Sequence, residues 1–235
     1  MLKFNNKVLN YNSRWLGEVV DLNPLNLPRR TIRVQLRPGT TWIYETSVTM
    51  PETPITDGLA TIETVDAVNL IYDVYYDDPI WYRLLYGQPV KRVLGGNTTE
   101  VTSMEGTFGY TNIEESVLFD TSNVTNLSGA FSYCHFVEFP MFNTHNVTEF
   151  DSLCDQGWNL KHVPLLDTSS AVNVDFMFTD CFNVESGALA LYNQLSAQGT
   201  VTSHEGTFHN CGKYTTTGAA ELEQIPWDWK DRTTE

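Results

Sequence analysis

Histidine, cysteine, carboxylate and tryptophan are the side chains of this chain that could do chemistry, and their spacing decides whether they do. "HEGTF", from His204 to Phe208, holds half of a zincin signature, but no second histidine follows at the spacing a helical zinc site needs. His135, His145, His162 and His209 make no such pair either. Cys134, Cys154, Cys181 and Cys211 stand 20, 27 and 30 residues apart, so none forms the close pair of a zinc knuckle. A glycine-flanked serine elbow and a phosphate-cradling glycine loop are both missing from the sequence. "DVYYDDPIWY" sets Asp73, Asp77 and Asp78 among aromatics without the regular D-x-D-x-D-G alternation of a calcium loop. A grip on sugar or on a partner surface stays open there, beside plain packing. "IPWDWK" puts Trp227 and Trp229 on one side of an extended segment, either to cap the last unit of the chain or to anchor a neighbouring subunit. A carbohydrate-active enzyme would need a carboxylate pair in a cleft, and no spacing singles one out. The expectation is a non-enzyme with no cofactor and no metal.

Composition narrows the partners. Fourteen Lys plus Arg face 29 Asp plus Glu across 235 residues, a net charge of −15. Nucleic acid is excluded as the expected partner, because phosphate must be met by clustered cations. No apolar window approaches the roughly 20 residues of a membrane helix, so membrane insertion is not expected. "MLKFNNKVLNYNSRWLGEVV" carries no apolar run of a secretory signal, which points to production and assembly in the cytoplasm.

The elements that position these residues are repeats. "VTSMEGTF" ends at Phe108 and "VTSHEGTF" at Phe208; between them "VTNLSGAF" ends at Phe131, "VTEFDSLC" at Cys154 and "AVNVDFMF" at Phe178. The anchors Phe108, Phe131, Cys154, Phe178 and Phe208 are 23, 23, 24 and 30 residues apart. Three residues beyond them come Thr111, Cys134, Gly157, Cys181 and Cys211, so the cysteines read as a buried ladder of inert thiols. "VLFDTSN", "PMFNTHN" and "PLLDTSS" precede the octets as short strands ending in Asx/Thr turns. Val124, Leu127 and Phe131 suggest a short helix in each unit. "ESGALALYNQLSAQG" lengthens the last step and reads as an inserted helix within 186–199.

"LFDTSNVTNLSGAFSYC" and "LLDTSSAVNVDFMFTDC" resemble the bacterial surface-antigen (BspA-like) variety of leucine-rich repeat, over about Val93 to Cys211. The second unit departs from that pattern, with Cys154 at the Phe position and Gly157 at the Cys position. The wider arrangement is similar to phage-encoded proteins of gut bacteria, including "SGALALYNQLS" and the ending "TTTGAAELEQIPWDWK". What the resemblance implies is a mixed α and β fold: a short leucine-rich-repeat solenoid of short parallel strands and short helices, preceded by a small β-rich module.

Domain boundaries follow. Residues 1–30 read as an N-terminal arm, 31–92 as the β-rich capping module, 93–215 as the repeats and 216–235 as a C-terminal cap or tail. Within the module, "TIRVQLRP" alternates as a half-buried strand with a basic outer face, "TWIYETSV" and "ATIETVD" are further strands, "VNLIYDVYY" is buried on both faces, and "PIWYRLLYG" is a short helix. The resemblance implies a non-enzymatic virion protein of a bacteriophage, in a tail, fibre or capsid-surface position. Its arm would meet other virion proteins, and a rigid repeat face would recognise a host surface protein or glycan. Polar residues after the anchors are the candidate contacts: Ser132, Tyr133, His135, Asp155, Gln156, Trp158, Thr179 and Asp180. Association as a homo-oligomer is expected. The alternative is a structural virion component whose repeats pack on neighbouring subunits and bind no host ligand.

Overall fold

The computed structural model describes residues 3–4, 7–8, 23, 25–42 and 60–231. Strands β1 (Lys3–Phe4) and β2 (Lys7–Val8) form an antiparallel pair. The main sheet holds β3 (Thr31–Leu36), β4 (Thr61–Asp66), β5 (Ile71–Tyr75), β6 (Val90–Asn97) and β7 (Glu115–Ser116), in the order β4-β5-β3-β6-β7. Its pairs are antiparallel except the last, β6 with β7, which is parallel. Helix α1 (Ala188–Ser196), helix α2 (Thr216–Gln224) and a 3-10 turn at Trp227–Trp229 follow. Among the described residues no helix is long and apolar enough to cross a membrane.

The expected fold class is corrected by these elements. Among the described residues the regular structure is mostly one mixed five-stranded sheet with two short helices, and it does not form a leucine-rich-repeat solenoid of short strands and short helices. The octets are turns joined by single-residue parallel bridges: Ile80–Ser103, Ser103–Asn126, Asn126–Glu149, Glu149–Asn173 and Asn173–Ser203. The physical reason lies in where the backbone N–H groups point. Leu127, Gly129, Phe131 and Tyr133 donate to Glu149, Asp151, Leu153 and Asp155 of the next unit, at 2.7–2.9 Å. The alternate residues Ala130, Ser132 and Cys134 close i→i−3 turns at 3.0–3.2 Å. A helix would spend every N–H inside its own unit. Here every second one goes to the neighbour. Left-handed residues two before and two after each anchor make this possible, among them Gly106, Gly129, Tyr110 and Tyr133 with φ of 59–62°.

"PIWYRLLYG" joins the same row and is not a helix. Trp81, Arg83, Leu85 and Gly87 donate to Ser103, Glu105, Thr107 and Gly109 at 2.8–2.9 Å, and Arg83 and Gly87 are left-handed at φ 53° and 68°. Leu85 therefore stands 23 residues before Phe108 as an extra anchor, fully buried. "VNLIYDVYY" differs too: in β5 only Val74 is buried, because β4 beside it lies largely in solvent. "TWIYETSV" falls mostly outside the described residues, as does most of the arm.

The core runs through the described residues from Leu27 to Trp229. Ile32, Val34 and Leu36 of β3 are buried, joined by Trp81, Val93 and the anchors Phe108, Phe131, Cys154, Phe178 and Phe208, each at most 1% exposed. Phe108 stacks on Phe131 with centroids 5.2 Å apart, and Phe131 on Phe142 at 5.5 Å. The Asp/Asn-Thr turns hold the return segments together. Thr121 and Thr144 are buried, and their hydroxyls donate to the Asn143 and Asp167 carbonyls of the next unit at 2.7 and 2.8 Å. Helix α1 ends that row: Gln194 Nε2 donates to Thr168 Oγ1 and to the Leu166 carbonyl, both at 2.7 Å. At the far end the Phe208 N–H donates to the Trp229 carbonyl, and the Trp229 indole lies flat on His204 at 4.2 Å.

Candidate functional site

The residues two beyond each anchor share one edge. Gly87, Tyr110, Tyr133, Gln156, Asp180 and Asn210 are all left-handed, with φ between 53° and 68°. That backbone points their side chains outward, while the residue just before is turned in. Ser132 and Thr179 are buried in consequence: Ser132 Oγ donates to the Ser152 carbonyl at 2.9 Å, and Thr179 Oγ1 to the Gly206 carbonyl at 2.5 Å. Thr179 is therefore removed from the candidate contacts.

Aromatic rings make a continuous column on this edge. Tyr86 meets Tyr110 at 5.1 Å, Tyr110 stacks on Tyr133 at 3.9 Å, and Trp158 meets Tyr133 edge-on at 6.1 Å. Arg83 lies over the Tyr86 ring, 4.8 Å from its centroid. Tyr110 and Trp158 are each 45% exposed. Tyr133, Gln156, Trp158 and Asp180 of the expected set are thus brought to one edge. Asp180 Oδ1 accepts from Asn210 Nδ2 at 2.8 Å. His135 sits half-buried, and burial first, then the Arg37 guanidinium, pushes its pKa down, so it presents a neutral ring at pH 7. Tyr86 and Tyr110 are additions. Tyr110 occupies the same repeat position as Tyr133 and was readable by that alignment. Tyr86 belongs to the unit hidden behind a helix-like pattern.

The other candidates go to structural places. Trp227 and Trp229 do not share a side: Trp229 is buried against His204 and Phe208, while Trp227 is 71% exposed. Trp229 is a cap and is corrected as an interface residue. Asp73 takes both arms of Arg33 at 2.6 and 2.7 Å, Asp77 pairs with Arg30 at 2.8 Å, and Asp78 accepts from the Ile80 N–H at 2.7 Å, so the three carboxylates answer to three different partners. Cys134, Cys154, Cys181 and Cys211 are free and buried. Burial first, then Cys154, raises the pKa of Cys181, and burial first, then Cys181, raises that of Cys211, which leaves these two thiols protonated and poor nucleophiles. Cys154 and Cys181 are the neighbours: a Cβ on Gly157 would lie 2.7 Å from one sulfur and 3.3 Å from the other. Repeat alignment puts Cys181 and Cys211 at the same position of consecutive units and misses this contact, because it does not see that Cys154 turns into the room Gly157 leaves. Among the described residues no group of three or more His, Cys, Asp or Glu is placed to hold a metal ion.

No curated protein and no solved structure matches the chain. Residues 90–192, from β6 through Tyr192 of α1, match the family model described as "Mycoplasma protein of unknown function, DUF285".

Proposed function

We propose that this protein is a non-enzymatic binding protein of a phage particle, carrying repeats of the bacterial surface-antigen (BspA-like) type, and that its aromatic edge touches the host surface. The observation that carries the reading is the column Tyr110–Tyr133–Trp158. Two of its members are tyrosines held at φ 59°. A bulky residue in that region costs on the order of 1–2 kcal/mol, a cost the glycine at the matching position of the first unit, Gly87, avoids. Mutual stacking recovers about 0.5–1.5 kcal/mol per pair, which leaves folding with little to gain from the tyrosines. Recognition supplies the reason to keep them, since aromatic anchors dominate binding energy at interfaces. Further support comes from the family match, which falls on the same repeats. The arm would hold the protein to other virion proteins, and many copies per particle would convert weak contacts into avidity.

The test compares fluorescently labelled full chain with a Tyr110→Ser/Tyr133→Ser/Trp158→Ser variant on cells of the phage's host. Loss of cell binding by a variant that still unfolds cooperatively is the expected result. Equal cell binding by both proteins would refute the reading. A variant that binds no cells and also fails to enter particles would favour the structural role, in which the same edge packs on a neighbouring subunit.

A further inference from the structure

We propose that a groove beside helix α2 is a second binding site, for a sugar residue bearing a carboxylate. The groove has a volume of about 400 Å³ and is lined by His209, Asn210, Lys213, Glu223, Trp227 and Lys230, with Ala219 and Leu222 behind them. It lies at the far end of the repeats from Tyr86, and it contains none of the aromatic column. Its existence does not depend on what that edge does.

Charge placement is the first argument. Residues 93–231 contain three lysines and no arginine against eighteen acids, a net charge of −15 that equals that of the whole chain. Two of those three lysines, Lys213 and Lys230, line this one groove. Each ammonium has three protons and each spends one on the protein: Lys213 Nζ donates to Asn210 Oδ1 at 3.1 Å and Lys230 Nζ to the Leu222 carbonyl at 2.8 Å. Both are held in place with protons left for an anion. An island of cations on an acidic body selects a small anion and repels an extended acidic surface.

Ring chemistry is the second argument. Trp227 is the most exposed large aromatic among the described residues, 71% accessible on the rim, while its neighbour Trp229 is buried as the cap. An indole face in a polar groove suits the C–H face of a pyranose. Acceptors for hydroxyls stand around it: Glu223 and Asn210 line the same wall. The His209 Nδ1 atom lies 2.8 Å from the Lys230 carbonyl, which can only accept, so Nδ1 carries the proton and Nε2 is left for a ligand hydroxyl. A bare phosphate offers nothing to the Trp227 face and leaves Glu223 without ring hydroxyls to accept from. A ring with hydroxyls and a single carboxylate, such as a uronic acid, uses every group.

The experiment titrates the full chain with a glucuronic-acid disaccharide and with its neutral glucose counterpart, followed by calorimetry and by the indole NMR signal of Trp227. The acidic sugar is expected to bind at least about tenfold more tightly than the neutral one, and to weaken as salt rises. Lys213→Gln is expected to lower the affinity about tenfold at an unchanged unfolding midpoint, Lys213→Arg to restore it, and Trp227→Ala to abolish the binding. The edge variant Tyr110→Ser/Tyr133→Ser/Trp158→Ser keeps full sugar binding, which separates failure here from failure of the host-contact reading. Equal affinity for the neutral sugar, no binding of either sugar, indifference to Lys213→Gln, or inorganic phosphate binding as tightly as the acidic sugar would each overturn the proposal.

Discussion

The unit that breaks the repeat offers the sharpest test of how the core is packed. Cys154 stands where four other units carry phenylalanine and the first carries Leu85, and Gly157 stands where three others carry cysteine. A methyl group on Gly157 would approach Cys154 Sγ to 2.7 Å, the Cys154 carbonyl to 3.2 Å and Cys181 Sγ to 3.3 Å. The sulfur contact is well inside van der Waals distance, and the wall is fully buried, so Gly157→Ala is an overpacking change worth about 1–3 kcal/mol of destabilisation. Cys154→Ala removes one buried sulfur, on the order of 1 kcal/mol by transfer and more if a cavity persists. If the two departures are one exchange, in which the sulfur moves from one side of the turn to the other, the double variant relieves the clash and refills the gap. It should then cost about 1–2 kcal/mol less than the sum of the singles. Urea unfolding of the full chain and the three variants at 25 °C, followed by tryptophan fluorescence, measures the coupling. Additivity within about 0.5 kcal/mol would refute the exchange.

Three further outcomes are expected. The Asp151 carboxyl is raised to about 6, first by burial and then by Asp175, above its unfolded value. The folded state therefore holds this proton more tightly than the unfolded one, and the contribution is present at acid pH and is lost as pH rises through about 6. Asp151→Asn should raise stability at pH 7.5 by about 1 kcal/mol, the full linkage value being discounted for partial exposure, and change little at pH 4; an equal difference at both pH values would contradict this. Tyr133→Gly should leave the unfolding free energy within about 1 kcal/mol, because relief of the left-handed backbone offsets the lost stacking, while host binding falls; a loss above about 3 kcal/mol in denaturant would make the tyrosine structural. Trp229→Ala should cost about 3–5 kcal/mol, with hydrogen exchange rising first around His204 and Phe208, which the indole covers; uniform exchange along the repeats would show that it is no cap.

Much of this was legible in the residues. The alternation of Thr31–Leu36 marks β3 because one buried face leaves a period of two, and the insert "SGALALYNQLS" is a helix because its apolar residues return on one side. The anchors were legible because repetition aligns them, and repetition needs no knowledge of conformation. The conformation between anchors was not. Val124, Leu127 and Phe131 keep helical spacing, yet a turn that reverses every second residue also brings positions three and four apart to one side. Spacing cannot separate the two, whereas hydrogen bonding does. The same ambiguity hid the first unit, since "PIWYRLLYG" has a proline start and glycine stop that suit a helix equally well. The binding edge was half legible: Tyr133, Gln156, Trp158 and Asp180 follow from variability after the anchor, but inward Thr179 needed the left-handed backbone to be known.

Stacking like on like has an electrostatic consequence that the sequence meets in two ways. Eleven residues before the anchors stand Asn97, Asp120, Asn143 and Asp167. Asp120, Asn143 and Asp167 do the same local work, each accepting the N–H two residues on at 2.9–3.2 Å. Aspartate and asparagine serve that turn alike, so the turn itself does not demand the alternation. The neighbour does. Adjacent units bring equivalent side chains to about 4.8 Å, where two carboxylates repel by on the order of 1–4 kcal/mol depending on solvent access. Placing the neutral Asn143 amide between Asp120 and Asp167 removes that cost and keeps the turn. Three residues before the anchors the column is Glu105, Ser128, Asp151, Asp175 and Glu205, and there the alternation fails after Ser128. Asp175 is committed, with Ser203 Oγ and the Glu205 N–H both donating to it at 2.6 Å. Asp151 beside it is the group whose proton affinity rises. The repeats, residues 93–215, can therefore carry fourteen acids against two lysines and stay folded because most of these carboxylates are kept out of register. Replacing Asn143 by aspartate would test that rule directly: three successive acids at 120, 143 and 167 should lower stability at pH 7 and restore it near pH 3, a reversal that a merely local turn effect would not show.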